Sequence, residues 1–332
     1  VKTSSLGDIV QSFVVLDELK RRFPDVEIDW AVESASHPIV AAHPLVRRAI
    51  RLRIKERKGL WKDLKELRSE SYDYVFDLQG NCKSGLITLC SRGEKKVGYA
   101  LGSVREWPNI FATHMRHKIS KEQNIRLFYL ELLEKTFGTF LGRAEQGVRF
   151  KINEEERQKI AEMVGSTSFR IMVCPGSKWI NKQLPLETLV SFLKKMEGAH
   201  FFLIWGDLKE KGLCQEMALR LPNAQVVEKL SLPAWQNLMC EMDLVVAVDS
   251  SALHLCGTTS TPSFSIFGPT RAEVFKPIGP HHLAIQGKCP YERNFAKQCP
   301  VLRTCPTGAC VKTLTAEELF QAYQNRCGSR QP

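Results

Sequence analysis

The 332-residue chain lacks a long apolar run: no stretch approaches the roughly 18 uncharged residues that a membrane-spanning helix needs. No basic-then-apolar leader is visible, so the expected location is the cytoplasm. Low-complexity tracts and short-period repeats are missing, which argues against linker-rich or solenoid organisation. There is no G-x-G-x-x-G, so a dinucleotide dehydrogenase loses its best support, and no G-x-x-x-x-G-K-[ST] phosphate loop. Without a G-x-S-x-G elbow, a Ser-His-Asp hydrolase loses its usual frame. No Asp-x-Asp pair occurs, so the usual carboxylate clamp for a cation on a nucleotide diphosphate is not apparent.

What is present describes an ordinary globular chain, 43% hydrophobic and 25% charged, too long for one core, so two domains are expected. The formal charge of +11 implies attraction to a polyanion: nucleic acid, an anionic membrane or a phosphorylated substrate. Eleven cysteines are many, but "ITLCSRG", "IMVCPGS" and "LHLCGTT" read as small buried hydrophobes in a reducing compartment.

Along the chain, "VQSFVVLDELKRRF" (10–23) has helical spacing and Pro24 as a stop. Only Val1 could belong to a strand before the opening turn, so the first strand is expected to be cut short. "VEIDWAV" (26–32) and "YDYVFDLQG" (72–80) read as strands, the latter after a helix over "LWKDLKELRSE" and a strongly basic segment carrying Lys55, Arg57 and Lys58. A second strand–helix series starts at "FRIMVCPGS" (169–177) and continues through "HFFLIWGD", "DLVVAVDSS" and "PSFSIFGPT". The alternation predicts parallel sheets covered by helices. "TAEELFQAYQNRC" predicts a terminal helix, with Thr315 and Glu318 as its capping box.

Ligands of open parallel sheets sit beyond the carboxyl ends of the strands, and three such ends carry chemistry here. In "TSSLGD", small residues and Gly7 allow a close turn and Asp8 lies at a helix start; it reads either as an N-cap or as a general base. In "CPGSKWINKQLP", Ser177, Lys178 and Lys182 offer a hydroxyl and positive charge to a diphosphate, or simply form a solvated basic loop. In "VVAVDSSALHL", Asp249 ends an apolar strand, Ser250 and Ser251 supply hydroxyls, and His254 stands three residues after Ser251 on the same helix face.

Together "KTSSLGDIV", "DLQGNCKSG", "GSKWINKQLP", "WGDLKE" and "DSSALHL…TPSFSIFGPT" resemble the ADP-heptose:lipopolysaccharide heptosyltransferases, glycosyltransferase family 9. "IDWAVE" and Arg105-Glu106 are similar to the heptosyltransferase I branch in particular. The resemblance spans nearly the whole chain. It implies an α/β GT-B fold, two Rossmann-like domains facing across a cleft: an acceptor-binding domain at 1–155, a donor-binding domain at 156–312, and a C-terminal helix at 313–332 returning to the first. It also implies inverting, metal-independent transfer of heptose from an ADP-activated donor to the Kdo region of a lipid A precursor, at the inner face of the cytoplasmic membrane, with no cofactor. Asp8 matches the family's general base, Lys182 the lysine that neutralises the donor phosphates, and Ser177 the hydroxyls that hold them. Glu210 matches a ribose-binding glutamate and Leu230 the position where the backbone meets adenine. Asp249, Ser250, Ser251 and His254 match the donor cluster. Lys55, Arg57, Lys58 and Arg105 would attract the acidic acceptor, or form a solvated face.

Two departures, Ser250-Ser251 for the usual Thr-Gly and Leu184 for the tryptophan before Pro185, leave the donor sugar open. Cys289, Cys299, Cys305 and Cys310 offer thiolates to a metal, but the paired spacing of a knuckle is weak. The competing readings are another family 9 member, such as heptosyltransferase II or a protein heptosyltransferase, and a non-catalytic polyanion binder. The last loses ground because no nucleic-acid module is recognisable.

Overall fold

The computed structural model describes residues 1–54, 56, 59–138, 147–165 and 169–327. Lys55, Arg57 and Lys58 lie outside the described residues. Two compact units divide the chain, Val1–Ala144 and Glu145–Pro332. No described helix is long and apolar enough to cross a membrane.

In the first unit β1 (Asp29–Glu33) pairs in parallel with β2 (Arg48–Leu52), and β3 (Tyr72–Phe76) with β4 (Gly93–Tyr99), which pairs with β5 (Met115–His117). Residues 1–3 run between the two groups. The Lys2 amide donates to Ala31 O at 3.3 Å and the Glu33 amide to Thr3 O at 3.2 Å on one side, and the Leu78 amide donates to Val1 O at 3.0 Å on the other. The hydrogen bonds thus run β2, β1, residues 1–3, β3, β4, β5. The chain reverses its direction of travel across the layer between residues 1–3 and β3. Where the pattern predicted one helix over 10–23, two occur, Leu6–Ser12 and Val14–Arg22, broken at Phe13. The Phe13 ring is buried edge-on against Trp30 with centroids 5.4 Å apart.

The second unit holds one parallel sheet in the order β11 (His282–Gln286), β10 (Ser263–Phe267), β9 (Leu244–Val248), β6 (Arg170–Cys174), β7 (His200–Leu203), β8 (Ala224–Val226). Every residue of "LVVAV" and "SFSIF" is buried, as expected of strands covered on both faces. The sheet grows from β6 out to β8, then restarts at β9 on the other side of β6. Between β6 and β9 lies a topological switch point, where the diverging connections leave a crevice at the strand ends.

Val148 and Phe150, expected in the first domain, bond in the second instead: the Val148 amide donates to Thr258 O at 2.9 Å and the Phe150 amide to Gln236 Oε1 at 3.1 Å. Buried Gln236 also donates from Nε2 to Val148 O at 2.5 Å, so both ends of its amide are satisfied by this segment. The terminal helix Ala316–Cys327 starts with the expected box, the Thr315 amide donating to Glu318 Oε2 at 2.8 Å and the Glu318 amide to Thr315 Oγ1 at 3.2 Å. It is expected to return to the first domain; among the described residues it packs on the helix Leu186–Lys194 and on β11. Leu319 and Tyr323 join that core, with Tyr323 5.8 Å from the Phe264 ring centroid.

Candidate functional site

The chemistry-bearing residues gather at the switch point of each unit. In the second, β6 runs out into Pro175–Lys178 and β9 into Asp249–Ser251, so the two turns face each other at neighbouring strand ends. Ser177 Oγ donates to Asp249 O at 3.4 Å across the gap, and Gln183 Nε2 donates to Ser177 O at 2.7 Å. The Asp249 carboxylate is the hub. Lys182 Nζ and Thr270 Oγ1 each donate to its Oδ2 at 2.5 Å, and His254 Nε2 lies 3.7 Å from its Oδ1. Burial pushes the pKa of this carboxyl up, but the charges of Lys182 and His254 and the Lys182 and Thr270 hydrogen bonds outweigh it and hold the value below 3.8. Beside the hub the Ser250 hydroxyl is buried and makes no hydrogen bond among the described residues, while Ser251 is exposed.

Glu210, in the first turn of the helix Leu208–Ala218, accepts from the Gly206 amide at 2.6 Å. Its carboxylate reaches over Gly176: a Cβ added there would stand 2.1 Å from Glu210 Cδ. The glycine is needed for this close approach, which sets the Glu210 oxygens beside Ser177. Leu230 is half-buried in the loop between β8 and the helix Leu232–Cys240. Lys178 and Arg303 approach the Trp179 ring, 5.8 and 4.8 Å from its centroid, adding cations to the same rim. The segment bearing Arg303 is tied down by buried Asn181, whose Nδ2 donates to Leu302 O at 3.0 Å and Cys305 O at 2.9 Å.

In the first unit Asp8 is not an N-cap. Ser5 caps the helix Leu6–Ser12, and Asp8, three residues on, accepts at Oδ2 from the Ser5 amide at 3.2 Å and the Ser5 hydroxyl at 2.9 Å. The turn leading to it is clamped by Gln79, whose Oε1 accepts from the Thr3 amide at 2.7 Å, the Thr3 hydroxyl at 2.9 Å and the Ser4 amide at 3.2 Å. Gln79 is itself set by buried Asp77, whose Oδ1 accepts from the amides of Gln79 and Gly80 and whose Oδ2 accepts from Ser84 Oγ and Asn109 Nδ2. Arg105 is exposed beside this turn, its amide donating to Gly80 O at 3.1 Å. Tyr129 records the neighbourhood: burial raises its phenol pKa, the charge of Asp8 adds to this, and Lys2 and Arg105 oppose it. Lys2 Nζ lies 5.2 Å from the Tyr129 ring centroid.

The basic stretch before Lys55 is largely consumed by structure. Arg47 pairs with Glu27, Asp29 and Glu70, Arg48 with Asp29, and Arg53 with Asp63. A cavity of about 560 Å³ lies along β1 and β3, lined by Trp30, Tyr74, Phe76 and Phe137 and by none of the expected site residues. Among the described residues no group of three or more His, Cys, Asp or Glu is placed to hold a metal. Burial, then the neighbouring Cys289, Cys305 and Cys299, push the Cys310 thiol up to about 11.

The sequence pattern of glycosyltransferase family 9 (heptosyltransferase) matches residues 60–304, which contain both turns of the Asp249 hub. The chain belongs to glycosyltransferase family 9. It is therefore a glycosyltransferase. It is 29% identical over 286 residues to lipopolysaccharide heptosyltransferase 1 of Campylobacter coli, covering 81% of this chain and 83% of that one. With the Pseudomonas aeruginosa heptosyltransferase 1 the identity is 27% over 321 residues, 90% and 86% of the two chains. The E. coli heptosyltransferase WaaC with ADP-2-deoxy-2-fluoro heptose superposes with a TM-score of 0.76 at 21% identity over 98% of each chain, establishing the GT-B type of fold.

Within this family 9 chain, sequence reasoning missed Thr270, Gln183, Gln79, Asp77 and Asn109. Thr270 lay in plain view in "FGPT", but nothing local shows that it reaches back to Asp249. The others act through buried hydrogen bonds that only the folded sheet brings about.

Proposed function

We propose that the chain transfers heptose from an ADP-activated donor to the Kdo region of a lipid A type acceptor, with inversion and without a metal ion. The observation that supports this most is the Asp249 hub, which places Lys182, His254 and the Ser177 turn at the switch point of the second unit with Glu210 alongside. A leaving diphosphate gains negative charge as the bond from the anomeric carbon to the phosphate oxygen breaks. A preorganised ammonium and hydroxyl donors stabilise that charge more in the transition state than in the ground state. Glu210 suits a ribose diol and the loop at Leu230 an adenine edge. Asp8 accepts the proton of the acceptor hydroxyl as the new carbon–oxygen bond forms, and Arg105 attracts the acceptor's carboxylates. The heptosyltransferase 1 relatives and the ADP-heptose analogue bound to WaaC favour this donor and acceptor over other glycosyl transfers. A non-catalytic polyanion binder is disfavoured, because Arg47, Arg48 and Arg53 are spent on internal ion pairs.

The test is incubation with ADP-heptose and a Kdo-bearing lipid A precursor in the presence of EDTA, read by product mass and by the anomeric NMR coupling of the product. One added heptose with α/β inversion at the donor carbon is expected. Asp8→Ala should keep ADP binding and lose turnover by about 10² to 10⁴-fold. No mass increment, or an Asp8→Ala variant within twofold of the parent, would overturn the reading.

A further inference from the structure

The helix Cys82–Cys90 turns an uncharged stripe outward. Cys82, Leu86 and Leu89 occupy its exposed positions, Leu86 63% and Leu89 51% exposed, while Ser84, Gly85, Ile87 and Thr88 are buried. The water-facing side of such a helix ordinarily carries charge. Against it packs the 3₁₀ segment Trp107–Ala112, so closely that a Cβ on Gly85 would stand 2.9 Å from Asn109 Nδ2 and 3.3 Å from Ala112 Cβ. That segment exposes Trp107 (64%) and Phe111 (70%), with ring centroids 6.2 Å apart. Because the two segments pack against each other, their exposed apolar residues lie on adjoining stretches of surface.

The rim of the patch is basic. Residues 82–121 contain eight Lys and Arg against two Asp and Glu, and of these cations Lys83 is paired with Glu33 at 2.8 Å. One of those acids, Glu106, is occupied by the Cys82 amide at 2.8 Å. Lys96 Nζ donates to Leu89 O at 3.0 Å and Arg68 Nη1 to Cys90 O at 2.9 Å, which sets two cations at the helix end beside Leu89. Arg105 stands on the other flank, two residues before Trp107, at the Gly80 turn near Asp8. Leucine and phenylalanine side chains enter acyl chains, tryptophan settles at headgroup level, and lysine and arginine meet anionic headgroups.

We propose that this face of the first unit docks on an anionic lipid bilayer, presenting the Asp8 turn to an acceptor held in that bilayer; the proposal rests on the reading of the acceptor as lipid-borne. Charge complementarity selects the bilayer over a second copy of the chain, because two such basic rims would repel each other.

The test is flotation of the full chain with vesicles of phosphatidylcholine, with or without phosphatidylglycerol. Partition that requires phosphatidylglycerol and weakens with salt is expected. The variant Leu86→Gln/Leu89→Gln/Trp107→Ser/Phe111→Ser should partition about tenfold more weakly or less still, at an unchanged circular dichroism spectrum. If that variant misfolds, quenching of parental tryptophan fluorescence by brominated acyl chains, reduced in Trp107→Phe, serves the same purpose. Absence of partition, or equal partition or quenching of parent and variants, overturns the proposal. So does a parental dimer that the patch variant converts to monomer with vesicle binding intact. Asp8→Ala should float like the parent, and the patch variant should glycosylate a water-soluble, deacylated Kdo acceptor at the parental rate, so a failure of docking and a failure of the catalytic reading are told apart.

Discussion

Lys182 Nζ donates to Asp249 Oδ2 at 2.5 Å, with the two side chains only 14% and 4% exposed. The cation that the proposed function assigns to the diphosphate is therefore already paired, and an incoming phosphate would share it with a carboxylate that Thr270 and His254 also approach. Under the proposed function the same pair would serve both folding and ligand charge.

Replacing Lys182 with Met strands the Asp249 carboxylate and should cost about 3 kcal/mol of stability at neutral pH. The Asp249 pKa is held below 3.8 in the fold, so its contribution is complete above that value and is lost as pH falls through the folded one. Urea unfolding of parent and Lys182→Met should therefore converge only as pH falls below 3.8; a constant gap would contradict the pairing. Turnover should fall further than ADP affinity.

Gly176→Ala drives a Cβ into the Glu210 carboxylate, which can swing away because it ends a flexible side chain. The prediction is a folded enzyme whose KM for the donor rises about tenfold, equal to roughly 1.4 kcal/mol, and matches that of Glu210→Ala. The double variant should be no worse than either single one. Additive effects in steady-state kinetics would show that the two residues act separately.

Gln79→Ala removes the acceptor for the amides of Thr3 and Ser4 and for the Thr3 hydroxyl. Leaving buried donors unpaired should cost about 2 kcal/mol and lower kcat by loosening the turn that carries Asp8. Gln79→Glu keeps an acceptor oxygen and should recover most of the kcat, measured on the same acceptor.

Asp17 offers a test of opposite sign. Burial raises its pKa from 3.8 to about 6, only partly opposed by Arg21, which also pairs with Glu18. An acid with a raised folded pKa stabilises nothing when charged: its cost is absent below 3.8 and complete above about 6. Asp17→Asn should gain about 2 to 3 kcal/mol at pH 7.5 and nothing at pH 3.5. Thermal melts across that interval decide it.

The strand ends were legible because apolar runs such as "LVVAV" stop abruptly at polar residues, and the terminal capping box is a purely local pattern of four residues. β2 was hidden by its arginines: Arg48 lies within the strand, yet its charge is cancelled by Asp29, which is nineteen positions away in the chain. The break at Phe13 was equally invisible, since only packing on Trp30 distinguishes one helix of fourteen residues from two shorter ones.

Alternating apolar segments, the polar turns after them and the family to which they belong were written in the linear chain, because periodicity and local hydrogen bonding act over a few residues. Which turns meet was decided by strand order alone. Placing β9 beside β6, and residues 1–3 beside β3, brings Asp249 to Lys182 and Gln79 to the Asp8 turn. Those contacts span more than sixty positions, and their hydrogen bonds form only once the sheets have closed the distance and excluded water.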